Sequence, residues 1–168
     1  MDDFEDTVER HLGRLYSAAL FMCGGAESTA QDRVVEALGR SASEWSGPFQ
    51  SDASTWLEER VVLYCLEREG RQPARARPIH SSLPRAVPLG FREMDRARLY
   101  AGAAALPPIA RAAVWLVMFS RRPYADVANV LNISRDALCQ LLAHRDALIA
   151  SLLRGGQDAS DAVSRGTW

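Results

Sequence analysis

Lysine is absent from this 168-residue chain, and all 20 of its basic residues are arginine. Any phosphate or carboxylate that the protein grips with a cation is therefore gripped by the planar, bidentate guanidinium fork. Cysteine is scarce: Cys23, Cys65 and Cys139 stand far apart among apolar neighbours, with no CxxC pair and no Cys/His spacing of a zinc site. They read as three buried, reduced thiols. Apolar runs are short, residues 112–119 being among the longest, so no bilayer-spanning helix is expected. The residues from Met1 to Asp6 are acidic and lack the basic n-region of a secretory signal, which predicts a cytoplasmic protein. There is no phosphate-cradling glycine loop, and His11, His80 and His144 have no carboxylate, serine or cysteine partner at catalytic spacing. The expectation is a non-enzymatic protein with no catalytic residue, no metal site, no cofactor, no membrane insertion and no small-molecule substrate.

Hydrophobic residues make up 48% of the chain, as in ordinary globular proteins. The net charge of −1 conceals an asymmetry. Residues 1–70 hold 14 acids and 6 arginines, a net −8, whereas residues 71–98 hold 7 arginines and 2 acids, a net +5. Residues 99–154 carry a further net +3, from 6 arginines and 3 acids. An acidic front and a basic remainder suggest two units with different partners.

Hydrophobic periodicity is helical throughout, and no strand-like alternation of useful length occurs. Phe4, Val8, Leu12, Leu15, Tyr16, Ala19 and Met22 form one stripe of a helix over 4–22, stopped by Gly24-Gly25. A second helix is predicted over 29–42 with Val34, Val35, Leu38 and Ala42 facing inward. A third runs from a Ser54 N-cap to about Glu69, with Trp56, Leu57, Val61, Tyr64 and Cys65 as its apolar set. Prolines at 73, 78, 84 and 88, interleaved with arginines, break the pattern and mark a linker over 71–92. Helical signal returns over 91–105, and again from Ile109 to Phe119 with Pro108 in the first turn. After the turn Arg121-Arg122-Pro123, a short helix Tyr124 to Leu131 is followed by a long one from Arg135 to about Leu153. The polar stretch 155–168 reads as a disordered tail. The prediction is an all-α protein of two small helical bundles, 1–70 and 93–154, joined by the Pro/Arg-rich linker.

The stretch from Tyr124 to Leu138 has the spacing of a helix-turn-helix. Ala128 is small where two helices approach closely. Asn132 occupies a turn position that wants a left-handed backbone, which asparagine tolerates. Ile133 points to the core, Ser134 can cap the second helix, and Asp136 suits the positive end of its dipole. Val127, Val130, Leu131, Leu138, Leu141 and Leu142 supply the shared core.

These residues carry a resemblance. Leu106-Pro107, Arg111, the apolar run to Phe119 and the segment Tyr124 to Ser134 are similar to region 4 of extracytoplasmic-function (ECF) sigma factors. More faintly, His11-Leu12, Leu15-Tyr16, the run Ala30 to Leu38, and Phe49 followed by Trp56-Leu57 resemble region 2. The resemblance implies a sigma factor that binds core RNA polymerase and directs promoter-specific initiation, with an anti-sigma factor as a further partner. Asp32, Val35 and Glu36 would then touch the polymerase clamp. Ser134, Arg135, Gln140, His144 and Arg145 would meet promoter DNA, their helix lying in the major groove.

The sequence departs from the family pattern on the DNA face. Cys139 and Leu141 stand where the family carries lysine and arginine, and His144 replaces another arginine. In region 2, Val35, Leu63 and Glu67 replace the family's Gln, Asn and Asp. The alternative reading is a degenerate sigma-like module that binds an anti-sigma factor or other regulatory protein without reading DNA, through Leu138, Cys139, Leu141 and Leu142. A third is a one-domain DNA-binding regulator whose N-terminal helices dimerise.

Overall fold

Three helices pack on one another to form the N-terminal half: α1 (Phe4–Met22), α2 (Glu27–Glu44) and α3 (Ala53–Arg68). The computed structural model describes residues 4–45, 52–70 and 96–143, and the regular structure within them is entirely helical. The predicted linker 71–92, residues 93–95, Phe49, the tail 155–168 and the end of the last helix with His144 and Arg145 lie outside the described residues.

Helix α1 has the predicted bounds, and Gly24-Gly25 ends it for a physical reason. Gly24 and Gly25 adopt φ of 60° and 89°, and their N–H groups return to Phe21 O and Leu20 O at 3.2 and 2.8 Å. That pairing satisfies carbonyls which the helix end would otherwise leave without a donor. The buried face of α1 is Leu15, Ala18, Ala19, Phe21 and Met22; Leu12, expected in the stripe, is 46% exposed. On α2 the inward residues are Ala30, Val34, Ala37 and Ser41. Val35 and Ala42, predicted to face inward, are on the surface, Val35 at 70% exposure. One hundred degrees of helical rotation separate Val34 from Val35, so the narrow contact with α1 and α3 takes only one of them.

The N-cap of α3 is Asp52, two residues before the predicted Ser54. Its carboxylate accepts from Thr55 N at 3.1 Å and from the Thr55 hydroxyl. A ring cluster, Phe4–Trp45 at 5.4 Å and Trp45–Trp56 at 5.7 Å between centroids, pins the ends of α1 and α2 to the start of α3.

The second half begins with α4 (Arg96–Ala104) and α5 (Pro108–Val114), where Pro108 occupies the first helical turn as predicted. Helix α5 runs on into a π-helical turn, Trp115–Phe119, closed by Ser120 N to Trp115 O at 3.1 Å. Then come α6 (Tyr124–Val130) and α7, helical over residues 135–143. The two halves share one continuous apolar core that runs from Leu15 through Leu57, Val114 and Leu116 to Leu138. Helix α4 packs on α1, and α5 packs on both α1 and α3. The Gly24-Gly25 turn is the socket for α4: a Cβ at these positions would stand 2.7 Å from Ala104 Cβ and 2.9 Å from Tyr100 Cβ.

Candidate functional site

Helices α6 and α7 meet at a tight turn built by the residues singled out for it. Leu131 keeps a right-handed backbone, Asn132 turns to φ 52°, and the chain closes with Asn132 N to Asn129 O at 3.1 Å and Ile133 N to Ala128 O at 3.0 Å. Ser134 then caps α7, its Oγ accepting from Ala137 N at 3.1 Å. Val127, Ala128, Leu131, Leu138, Leu141 and Leu142 are buried around this turn. The outward face of α7 within the described residues carries Arg135, Asp136, Cys139, Gln140 and Ala143.

Of the five residues assigned to DNA, Ser134, Arg135 and Gln140 are thus exposed on one element, with Ser134 also serving as its cap. His144 and Arg145 lie outside the described residues. The apolar set assigned to a partner-binding groove is corrected: Leu138, Leu141 and Leu142 are core, and only Cys139 is at the surface. Cys139 also corrects the expectation of three buried thiols, since Cys65 is buried and Cys23 half-buried.

The residues assigned to polymerase are split. Asp32 and Val35 lie exposed along a shallow groove between α1 and α2 whose apolar lining includes Leu12, Tyr16 and Val34. Glu36 turns instead toward α3, where it accepts from the Tyr64 hydroxyl, from Arg68 at 3.2 Å and from Arg33 at 3.4 Å. The Tyr64 hydrogen bond, followed by that of Arg68, holds the Glu36 carboxyl below its ordinary range. Two guanidinium groups, Arg40 at 4.6 Å and Arg68 at 5.6 Å, flank the Tyr64 ring.

A polar seam that leaves no mark in the apolar periodicity runs between the halves. Glu58, only 1% exposed, accepts from Arg14 Nε and Nη2 at 3.0 Å each and from the Trp115 indole at 2.9 Å. Arg111, also buried, donates to Met22 O and to Glu69 at 2.5 Å. Arg122 meets Glu59 at 2.6 Å. Partial burial raises the Glu69 carboxyl above its ordinary value, against the opposing influence of Arg111 and Arg33. Beside these pairs, Trp115 stacks on Phe119 at 4.7 Å and both rings meet Phe21 of α1 at 5.4 and 5.5 Å. Glu58 stands within the apolar set of α3, between Leu57 and Val61, the one signal by which its burial could have been read.

Among the described residues there is no group of three or more His, Cys, Asp or Glu that could hold a metal, and no helix long and apolar enough to cross a membrane. Compared by sequence, the chain matches no family model and no curated protein. Compared by structure, it is similar to the sigma factor RpoE of Bartonella quintana, solved in complex with the anti-sigma factor NepR. The TM-score is 0.64 over 92% of this chain and 98% of that one, at 18% identity.

The chain has the fold of that sigma factor. Helices α1–α3 make up the first half of the described residues and α4–α7 the second. The seam of Glu58, Arg111 and Trp115 is where this chain holds the two together.

Proposed function

We propose that this protein is an ECF-type sigma factor, cytoplasmic, that binds core RNA polymerase and directs promoter-specific transcription initiation. The observation that carries the reading is the α6–α7 helix pair, with its left-handed Asn132, its Ser134 cap and its buried core, inside a fold shared over nearly its whole length with a sigma factor. In this reading residues 1–70 and 93–154 work as two units tethered by the arginine-rich stretch 71–92. Polymerase takes the α1–α2 face at Asp32 and Val35. Helix α7 enters the major groove of the upstream promoter element, with Arg135 and Gln140 as base or phosphate contacts and His144 and Arg145 as further contacts. The likeness to a sigma factor held by an anti-sigma factor also supports a partner of that kind here.

One observation favours a second reading, a sigma-like module that binds a regulatory protein without reading DNA. The described outward face of α7 carries a single arginine, Arg135, next to Asp136, and Cys139 where a basic residue is expected. Phosphate neutralisation dominates DNA affinity, so so few cations make a weak DNA surface.

Capture of core polymerase by the full chain, followed by transcription from a genomic promoter library, tests the first reading. Enriched start sites that share an upstream element support it. Failure of the polymerase complex to bind DNA in a salt-dependent way at two ionic strengths, together with capture by an anti-sigma factor, would replace it with the second.

A further inference from the structure

Arg121 and Arg122 stand side by side in the turn before α6, and the backbone sends them apart. Arg121 adopts φ 53° and lies exposed, whereas Arg122, its N–H returned to Leu116 O at 3.0 Å, turns its guanidinium toward α3. There Nη1 donates to Glu59 Oε2 at 2.6 Å, in a pair whose side chains are 17% and 25% exposed. The other arginine that crosses between the halves is of a different kind. Arg111 is buried, and its guanidinium is shared between Met22 O and Glu69, so it serves the core. The Arg122–Glu59 pair sits at the rim of the seam, where a competing anion can reach it.

Charge shows what this pair does to the surface around it. Between Arg121 and Ala143 the second half carries three arginines, Arg121, Arg122 and Arg135, and two acids, Asp126 and Asp136, a net +1. Glu59 takes up one of those three cations, which leaves the surface at zero. DNA affinity rests on the number of phosphates neutralised, so a unit whose charge is cancelled in this way holds a phosphate backbone poorly.

We propose, resting on the reading that the second half meets DNA, that Arg122 is a phosphate-binding residue held in reserve and that Glu59 occupies it as an internal stand-in for a DNA phosphate. A carboxylate and a phosphate present the same paired anionic oxygens to a guanidinium, so the two acceptors compete for one side chain. With Arg122 on Glu59, the α6–α7 surface is neutral and the turn before α6 is tied to α3. With Arg122 on a phosphate, that surface gains a contact and the tie is gone. Binding of DNA and release of the seam at this pair are then one event, each favouring the other by the same factor.

The experiment measures binding of the full chain to a fluorescent DNA duplex of random sequence over a series of salt concentrations. Glu59→Gln takes the charged partner from Arg122 without altering the second half, and Glu59→Ala removes the acceptor. Both are expected to bind several-fold more tightly than the parent at low salt, with the slope of log affinity against log salt steeper by about one. Glu9→Gln, the same change of charge at an exposed position of α1, should match the parent. Arg122→Ala added to Glu59→Gln should return affinity and slope to the parent's values, whereas Arg122→Ala in the parent should change neither, its cation being already engaged. Thermal melting identifies any Glu59 variant that has lost its fold; Arg122→Ala in the parent then decides, and a loss of DNA affinity there overturns the inference. Equal, salt-dependent binding by the parent and both Glu59 variants overturns it and leaves the DNA reading standing. A gain that survives Arg122→Ala, or that Glu9→Gln reproduces, comes from overall charge and overturns it too. Absence of salt-dependent binding in every variant also overturns it, and the polymerase complex measured in the same way then decides the DNA reading separately.

Discussion

The indole of Trp115 donates to the carboxylate of Glu58 at 2.9 Å, across 57 positions of sequence. The same carboxylate takes the fork of Arg14, so the buried acid has three donors and joins α1, α3 and the π-helical turn. Glu58→Ala leaves the indole N–H and the guanidinium without their acceptor and is expected to cost about 3 kcal/mol. Trp115→Phe keeps the ring stack with Phe119 and costs about 1–2 kcal/mol. Urea unfolding of both single variants and the double variant should give a coupling of about 1 kcal/mol or more. An additive pair would mean that the hydrogen bond contributes nothing.

Glu69 sets a pH dependence of unusual sign for a carboxylate. Its native pKa is raised, so the folded state holds this proton more tightly than the unfolded state does. The group's contribution is therefore full below the ordinary Glu value and is lost as pH rises through the raised native one. Glu69→Gln removes that loss while its amide oxygen can still accept from Arg111. The melting temperature of this variant, relative to the parent, is expected to rise as pH climbs above the ordinary Glu value of about 4.3. A constant difference would show that the carboxyl titrates alike in both states.

Asp52 behaves in the opposite way. The Thr55 hydroxyl, its largest influence, holds the carboxyl below the ordinary value in the folded chain. Its stabilisation is present above the ordinary Asp value and is lost as pH falls through the lowered native one. Asp52→Ala is expected to cost about 1 kcal/mol near neutral pH by removing the cap of α3. At acid pH the cost should shrink. Thermal unfolding at the two pH values checks both statements.

Helix α7 separates fold from recognition by one side chain each. Leu141 is buried, so Leu141→Asp is expected to destabilise by more than about 3 kcal/mol and to remove the cooperative melting transition. Arg135 is exposed, and Arg135→Ala should leave stability within about 0.5 kcal/mol. On the proposed reading it should weaken promoter binding in the polymerase complex by about 1–3 kcal/mol for a base contact, or lower the salt slope by about one for a phosphate contact.

On the polymerase side, Val35→Asp should likewise spare the melting temperature, because Val35 is 70% exposed, yet abolish capture of core polymerase. Glu36→Arg is a poorer probe. Reversing a carboxylate already bonded to Tyr64 and Arg68 disturbs α3 as well as any partner. Normal polymerase capture by Val35→Asp would remove the α1–α2 face from the proposed interface.

Local rules made much of this fold legible. Periodicity found α1 to the residue, and glycine and asparagine marked the left-handed stops at Gly24, Gly25 and Asn132. Ser134 followed from capping chemistry. The cap of α3 was misplaced because Asp52 and Ser54 are both good caps, and only the bond to Thr55 distinguishes them. Val35 was misread because apolar character at one position does not reveal whether a face is covered. Pairings at long range, Glu58 with Trp115 and Arg111 with Glu69, leave no periodic trace, so the seam emerged only from the three-dimensional arrangement.

The five-residue turn at Trp115–Phe119 has a mechanical meaning. Its i to i+5 bond accommodates one more residue than an α-helical turn, and each residue advances a helix by about 100°. The wide turn absorbs that extra residue, so α6 and α7 leave Phe119 on nearly the heading that an α-helix one residue shorter would give. Removing one residue here would restore ordinary winding and leave α6 and α7 nearly in place, whereas removing one within α5 would turn them by about a quarter of a revolution relative to α1–α3. The rings of Trp115 and Phe119, clamped on Phe21, act as the key that holds this gear at one tooth.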